Sequence, residues 1–180
     1  MKKIFLLPIL IIAFFISSCE DDSTDPLPIK VPGQFVKLDI QQRSLDFSNI
    51  NTTAFRGTLS VPANNVVRYE LFVRRRNPNG INTSNFKLLQ TITTFPYELN
   101  ITPAQIAAAV GTDVASLQTG DIYRFIGYSY DAAGNKAGFL NLSAELRNNA
   151  TMKQGYKWSV DLPTAIDPLV PFNSYENFGL

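Results

Sequence analysis

Between Leu117 and Leu142 the sequence reads LQTGDIYRFIGYSYDAAGNKAGFLNL, two runs of strand-forming residues around a turn. In Tyr123-Arg124-Phe125-Ile126-Gly127-Tyr128-Ser129-Tyr130 aromatic and β-branched side chains recur, which favours a pleated, half-buried strand. Asp131-Ala132-Ala133-Gly134-Asn135 supplies turn chemistry, and Lys136 to Leu142 is predicted to return as a second strand. Side chains alternate across a strand, so Tyr123 and Phe125 fall on one face and Arg124, Ile126, Tyr128 and Tyr130 on the other. A hairpin of this kind cannot stand alone in water, and the rest of the chain has to supply sheets to pack against it.

Further strands are legible on both sides. Phe35 to Ile40 alternates, as does Ala54 to Val61, with Phe55, Leu59 and Val61 on one face and Arg56, Thr58 and Ser60 on the other; Pro62 closes that run. Val66 to Arg76, VVRYELFVRRR, predicts a long strand with Val67, Tyr69, Leu71 and Val73 toward the core and Arg68, Glu70, Phe72, Arg74 and Arg76 away from it. Asn77-Pro78-Asn79-Gly80 signals a turn, and Phe86 to Thr94 a strand in which Phe86, Leu88, Gln90 and Ile92 alternate with Lys87, Leu89, Thr91 and Thr93. Phe95 to Leu99 leads on to a helical stretch. Thr102-Pro103-Ala104-Gln105 combines a threonine cap, a proline at the first helical position and a glutamine that completes a capping box. The helix is expected to run through Val110 and end at Gly111, with another turn from Asp113 to Gln118 that points Leu117 inward. Tyr156 to Val160 predicts a last strand carrying Tyr156, Trp158 and Val160 on one face.

Leu117, Gly120 and Tyr123 have the spacing that resembles the start of strand F in fibronectin type III and related immunoglobulin-like domains. There the tyrosine forms a corner whose hydroxyl bonds back to upstream backbone. With the strand pattern, the resemblance implies a mostly β protein: an immunoglobulin/fibronectin-III-like antiparallel β-sandwich over residues 34–162, with a short helical crossover, about residues 102–118, before the F strand. That crossover is expected to pack over one end of the core.

The ends carry an address. Lys2-Lys3, the apolar run from Ile4 to Ile16 and Ser17-Ser18-Cys19 have the charge, apolar and small-residue regions of a signal peptide over residues 1–18. The apolar run is too short to cross a bilayer, which takes roughly 20 residues. Phe15-Ile16-Ser17-Ser18-Cys19 resembles a bacterial lipobox, which implies cleavage before Cys19 and lipid on the only cysteine. Glu20, Asp21 and Asp22 then resemble the surface-export signal of Bacteroidota lipoproteins, and residues 19–33 read as an acidic, proline-rich tether. The tail, 163–180, has three prolines but also Phe172, Tyr175 and Phe178, and is expected to dock on the domain or on a partner.

Loss of the leader takes two of the 16 basic residues and leaves 14 against 15 acidic ones, which removes the electrostatic footprint of nucleic-acid binding. There is no histidine, and the single cysteine is the expected anchor, so the usual zinc ligand sets are excluded. The acidic residues form no recognisable catalytic pair, and neither an enzymatic activity nor a cofactor is expected.

The candidate binding surface is the outward face of the sheet that holds the 66–76 and 123–130 strands. Arg68, Phe72, Arg74, Arg76, Arg124, Tyr128 and Tyr130 collect there with Ile126, and arginine with tyrosine is the chemistry of binding surfaces. The competing reading is that the crossover helix or the tail covers this face. Trp158 could stack on a sugar but is read as a core residue, and Asp131 with Asn135 as turn chemistry rather than a calcium site. The Asn-x-Ser/Thr triplets, such as Asn51-Thr52-Thr53, reflect a polar surface. Asp22-Ser23-Thr24 resembles a short O-glycosylation motif of Bacteroidota.

The signal, lipobox, acidic tether and sandwich together resemble the small surface lipoproteins of Bacteroidota that accompany SusC/SusD-type nutrient importers. The resemblance implies a lipid-anchored protein of the outer membrane that faces the exterior, with a glycan, a peptide or the transporter as partner. A cell-surface adhesion or structural spacer module is the alternative.

Overall fold

Alternation along the strands builds two antiparallel sheets from eight strands among the residues that the structure, a computed structural model, describes, 33–77 and 83–162. β1 (Lys37–Gln42), β2 (Phe55–Ser60) and β5 (Tyr97–Ile101) form one sheet in the order β1-β2-β5. β3 (Arg68–Arg76), β4 (Lys87–Ile92), β6 (Ile122–Tyr130) and β7 (Lys136–Ala137) form the other in the order β4-β3-β6-β7. β8 (Lys157–Asp161) also pairs with β6, along the half that β7 leaves open. Lettered in the immunoglobulin manner, A-B-E faces C′-C-F-G, with the G strand split between β7 and β8. The domain is the expected mostly β, antiparallel sandwich with a short helical crossover.

The inner faces meet in one apolar cluster. Phe55 of β2, Phe125 of β6 and Trp158 of β8 are buried and stacked across the two sheets, with ring centroids 5.4 Å apart for Phe125–Trp158 and 6.1 Å for Phe55–Phe125. Tyr69, Leu71 and Val73 of β3 and Tyr123 of β6 complete the inward rows. Gly127 is glycine for a steric reason: a Cβ there would overlap the Tyr69 ring, which crosses it to reach the carbonyl of Gly155.

The helical crossover forms where the capping residues place it. In α1 (Pro103–Val110) the Thr102 side chain accepts from the Gln105 backbone N–H and the Gln105 side chain from the Thr102 N–H, while Gly111 ends the helix at φ 78°. Ile106 and Ala107 enter the core, and the helix packs against β3 and β4. A turn of 3-10 helix, Val114–Ser116, capped by Asp113, brings Leu117 into the core.

Several expectations need correction. Lys136 to Leu142 is not a long returning strand: only Lys136–Ala137 pairs, and the chain then leaves the sheet through 3-10 turns and α2 (Ala144–Asn148) before β8 resumes. The strand partner that β6 needs before Gly127, from Ile122 to Ile126, comes from β8, so the excursion costs few ladder bonds. Val67 lies before β3 and is 48% exposed, although the alternation assigned it to the core. In β4 the register shifts opposite Leu71/Phe72, so strict alternation breaks there: Leu88 turns to solvent and Leu89 packs on the core. Tyr97–Ile101 is a strand of the opposite sheet, where the sequence suggested only a lead-in to the helix.

One inward position of β3 holds a charge. Arg75 Nη2 lies 2.7 Å from Asp121 Oδ2, and their side chains are 8% and 0% exposed. The carboxylate also accepts from the Gln118 backbone N–H at 2.8 Å and from the Tyr123 hydroxyl at 3.2 Å, while Arg75 donates to the Ser116 carbonyl at 2.6 Å. The tyrosine corner is thus closed through a side chain, Asp121, instead of upstream backbone.

Burial raises the phenols of Tyr69, Tyr123 and Tyr156 above the ordinary tyrosine value; Asp121 adds to the effect at Tyr123 and Tyr156 at Tyr69. A raised folded-state value means that the folded protein holds protons the unfolded chain would release. The stability these groups contribute is complete below the unfolded value, about pH 10, and is lost as pH rises toward the folded values. Spectrophotometric titration is expected to show these three phenols ionising only with cooperative unfolding above about pH 10. Early, independent ionisation would contradict their burial.

Candidate functional site

The pairing of β3 with β6 decides which outward side chains become neighbours. Arg68 lies opposite Tyr130, Glu70 opposite Tyr128, Phe72 opposite Ile126, Arg74 opposite Arg124 and Arg76 opposite Ile122. The sequence thus placed its candidate residues on one face, and the structure divides that face into two parts.

The first part is a ladder tied up with itself. The Arg68 guanidinium sits 4.0 Å from the Tyr130 ring centroid and 3.5 Å from Glu70, and the Tyr130 hydroxyl donates to Glu70 at 2.8 Å. Phe72 meets Tyr128 edge-on with centroids 5.8 Å apart, and Lys136 Nζ lies 3.7 Å from the Tyr128 centroid. Desolvation and the Glu70 carboxylate raise the Tyr130 phenol above its ordinary value. Arg76 stands exposed at the end of β3.

The second part is a pocket of about 920 Å³ between the outer sheet face and the excursion that joins β7 to β8. The sheet supplies Arg74, Arg124, Ile126, Tyr128 and Lys157, and Phe86 joins from just before β4. The excursion supplies Phe139, Leu140, Asn141, Arg147 and Asn148. Local sequence makes the excursion take this path. Gly138 lets the backbone pass over Tyr128, whose ring would be 2.8 Å from an added Cβ. Asn141 then accepts from the Gly138 N–H at 2.8 Å, and Ser143 caps α2 through the Leu146 N–H. The result holds Phe139 and Arg147 over the sheet.

The pocket combines aromatic walls with concentrated positive charge. Arg74 lies 4.7 Å from the Phe86 centroid, and Phe139 is faced by Lys157 at 4.8 Å and Arg147 at 5.9 Å. Desolvation lowers the Arg124 guanidinium below its usual value, with Arg74 and Arg76 adding repulsion. Lys157 is lowered likewise by desolvation and then by Arg124 and Arg74. Among the described residues that line the pocket, none is aspartate or glutamate.

Of the residues singled out from sequence, Arg74, Arg124 and Tyr128 line the pocket, Arg68, Phe72 and Tyr130 belong to the ladder beside it, and Arg76 lies outside both. Of the two expected covers of the face, the crossover helix is ruled out because α1 packs into the core, while the tail, residues 163–180, lies outside the described residues, as do Cys19, Glu20, Asp21 and Asp22. The excursion is what overhangs the sheet. Phe86, Phe139, Leu140, Arg147 and Lys157 escaped the sequence reading. Lys157 alternates with the buried Trp158 and would have emerged had β8 been paired with β6, whereas nothing in the sequence says that Phe139 folds back. Trp158 is 2% exposed and part of the core stack, in keeping with its core reading. Asp131 accepts from the Ala133 and Asn135 backbone N–H groups and from the Asn135 side chain, which is turn capping. Among the described residues, no cluster of three or more metal-ligating side chains occurs.

No protein-family model, curated protein or solved structure matches the chain.

Proposed function

We propose that the chain is a non-catalytic lipoprotein of the outer-membrane surface, anchored through lipid on Cys19, which serves as an accessory binding subunit of a SusC/SusD-type nutrient uptake system. The observation that carries the binding role is the pocket of about 920 Å³ on the C′-C-F-G face, within the size of small-ligand sites and lined by aromatic and cationic side chains. A spacer would need no such concavity, which is why binding is preferred to a purely structural role. The lipobox and the acidic residues 20–22 support the address, and the absence of histidine and of a catalytic carboxylate pattern supports the lack of chemistry.

The test is mild detergent extraction of the tagged chain from native membranes. The wild type is expected in the membrane fraction with SusC- and SusD-type proteins co-purifying, and Cys19→Ser is expected to lose membrane attachment. A chain that is extracted alone in every detergent would overturn the accessory role, and a membrane-bound Cys19→Ser variant would overturn the anchor.

A further inference from the structure

The pocket is lined by four cations, Arg74, Arg124, Arg147 and Lys157, and none of the described residues that line it is aspartate or glutamate. Arg74 and Arg124 stand directly opposite each other on neighbouring antiparallel strands, an arrangement in which like charges repel. Lys157 lies on the same outer face, opposite Ile126, the second residue along β6 from Arg124. Nε of Arg74 and of Arg147 are buried without a hydrogen-bond acceptor, a costly state for a guanidinium unless something external supplies the acceptor. The aromatic rings point to the same kind of ligand. Phe86, Phe139 and Tyr128 each have a cation set over them, so those ring faces are occupied where a pyranose would stack, while Leu140 is 74% exposed at the pocket.

We propose that this pocket binds an acidic peptide segment, with a carboxylate held by Arg74, Arg124 and Arg147 and a neighbouring apolar side chain against Phe139 and Leu140. Guanidinium groups pair with carboxylates through parallel N–H donors, and an anion between Arg74 and Arg124 would turn their repulsion into attraction to a common partner. The proposal rests on the reading of the chain as a binding protein, and it names the ligand class. It also explains why the pocket is built on the F and G strands: only there does the excursion hold an arginine above a row of outward cations.

The test uses the mature chain with Cys19→Ser and titrates two blocked peptides, acetyl-Leu-Glu-Phe-Asp-Leu-amide and its neutral counterpart with Gln and Asn, together with a hexuronate oligosaccharide. Calorimetry measures binding, and thermal melting of the same samples reports on the fold. The acidic peptide is expected to bind and to raise the melting temperature, and the neutral peptide to bind about tenfold or more weakly, as befits loss of charge-assisted hydrogen bonds. Arg74→Gln and Arg124→Gln are each expected to weaken the acidic peptide by a similar factor while leaving the unliganded melting temperature unchanged or higher, because each removes one of two facing like charges. Equal binding of both peptides, preference for the hexuronate, or no binding of any probe by a folded protein would overturn the proposal. Co-purification with transporter proteins is independent of this outcome, so the accessory role and the ligand class fail separately.

Discussion

Asp121→Ala is expected to destabilise the domain by about 3–5 kcal/mol, the cost of leaving a buried charge without its partner. Arg75 is 8% exposed, and its guanidinium would keep only the Ser116 carbonyl at 2.6 Å among the partners described above. The same change releases the Gln118 N–H and the Tyr123 hydroxyl, which both donate to Asp121, so the crossover and the first residues of β6 lose a shared anchor. Replacing the pair together, Arg75→Met with Asp121→Leu, should recover most of the loss, since an apolar pair removes the desolvation penalty along with the attraction. Chemical denaturation of the wild type and the two variants checks this. A single variant as stable as the wild type would show that the pair is not buried as described.

Phe125→Ala is expected to cost about 3–5 kcal/mol, the range for removing a buried phenylalanine and leaving a cavity. Phe125 packs in a triangle with Phe55 of the opposite sheet and Trp158 of β8, with centroids 6.1 Å and 5.4 Å away and Phe55 and Trp158 themselves 6.3 Å apart, so its removal leaves a cavity where the two sheets meet and takes one ring contact from the tryptophan. Trp158 is the only tryptophan, which makes the effect visible in two ways: a lower denaturation midpoint and altered tryptophan emission. Phe72→Ala, on the outer face of β3, should cost much less because its side chain is only half-buried against Tyr128.

The fold was legible wherever short-range rules decide it. The Thr102 to Gln105 capping box, the stop at Gly111 and the alternation of β2, β3, β6 and β8 all follow from local spacing and stereochemistry. Errors arose where a distant partner decides. The bulge opposite Phe72 that turns Leu88 outward depends on how β4 meets β3. The short β7 depends on β8, some twenty residues later, completing the same edge of β6. Arg75 was readable as inward by its position after Val73, but only the fold shows that Asp121 waits there.

The candidate site was half legible for the same reason. Alternation gathered Arg74, Arg124 and Tyr128 on one face, yet it could not separate them from Arg68 and Tyr130, which Glu70 holds by an ion pair and a hydrogen bond. Nor could it find the roof, because Phe139 and Arg147 reach the sheet through an excursion with no strand periodicity of its own.

The most direct test of the account is amide-resolved NMR of the mature chain with Cys19→Ser during titration of the acidic peptide. Shift changes are expected to concentrate at Arg74, Phe86, Arg124, Ile126, Phe139 to Asn141, Arg147 and Lys157, with the ladder at Arg68 and Glu70 little affected. Changes centred on the β1-β2-β5 sheet, or spread evenly over the domain, would contradict it.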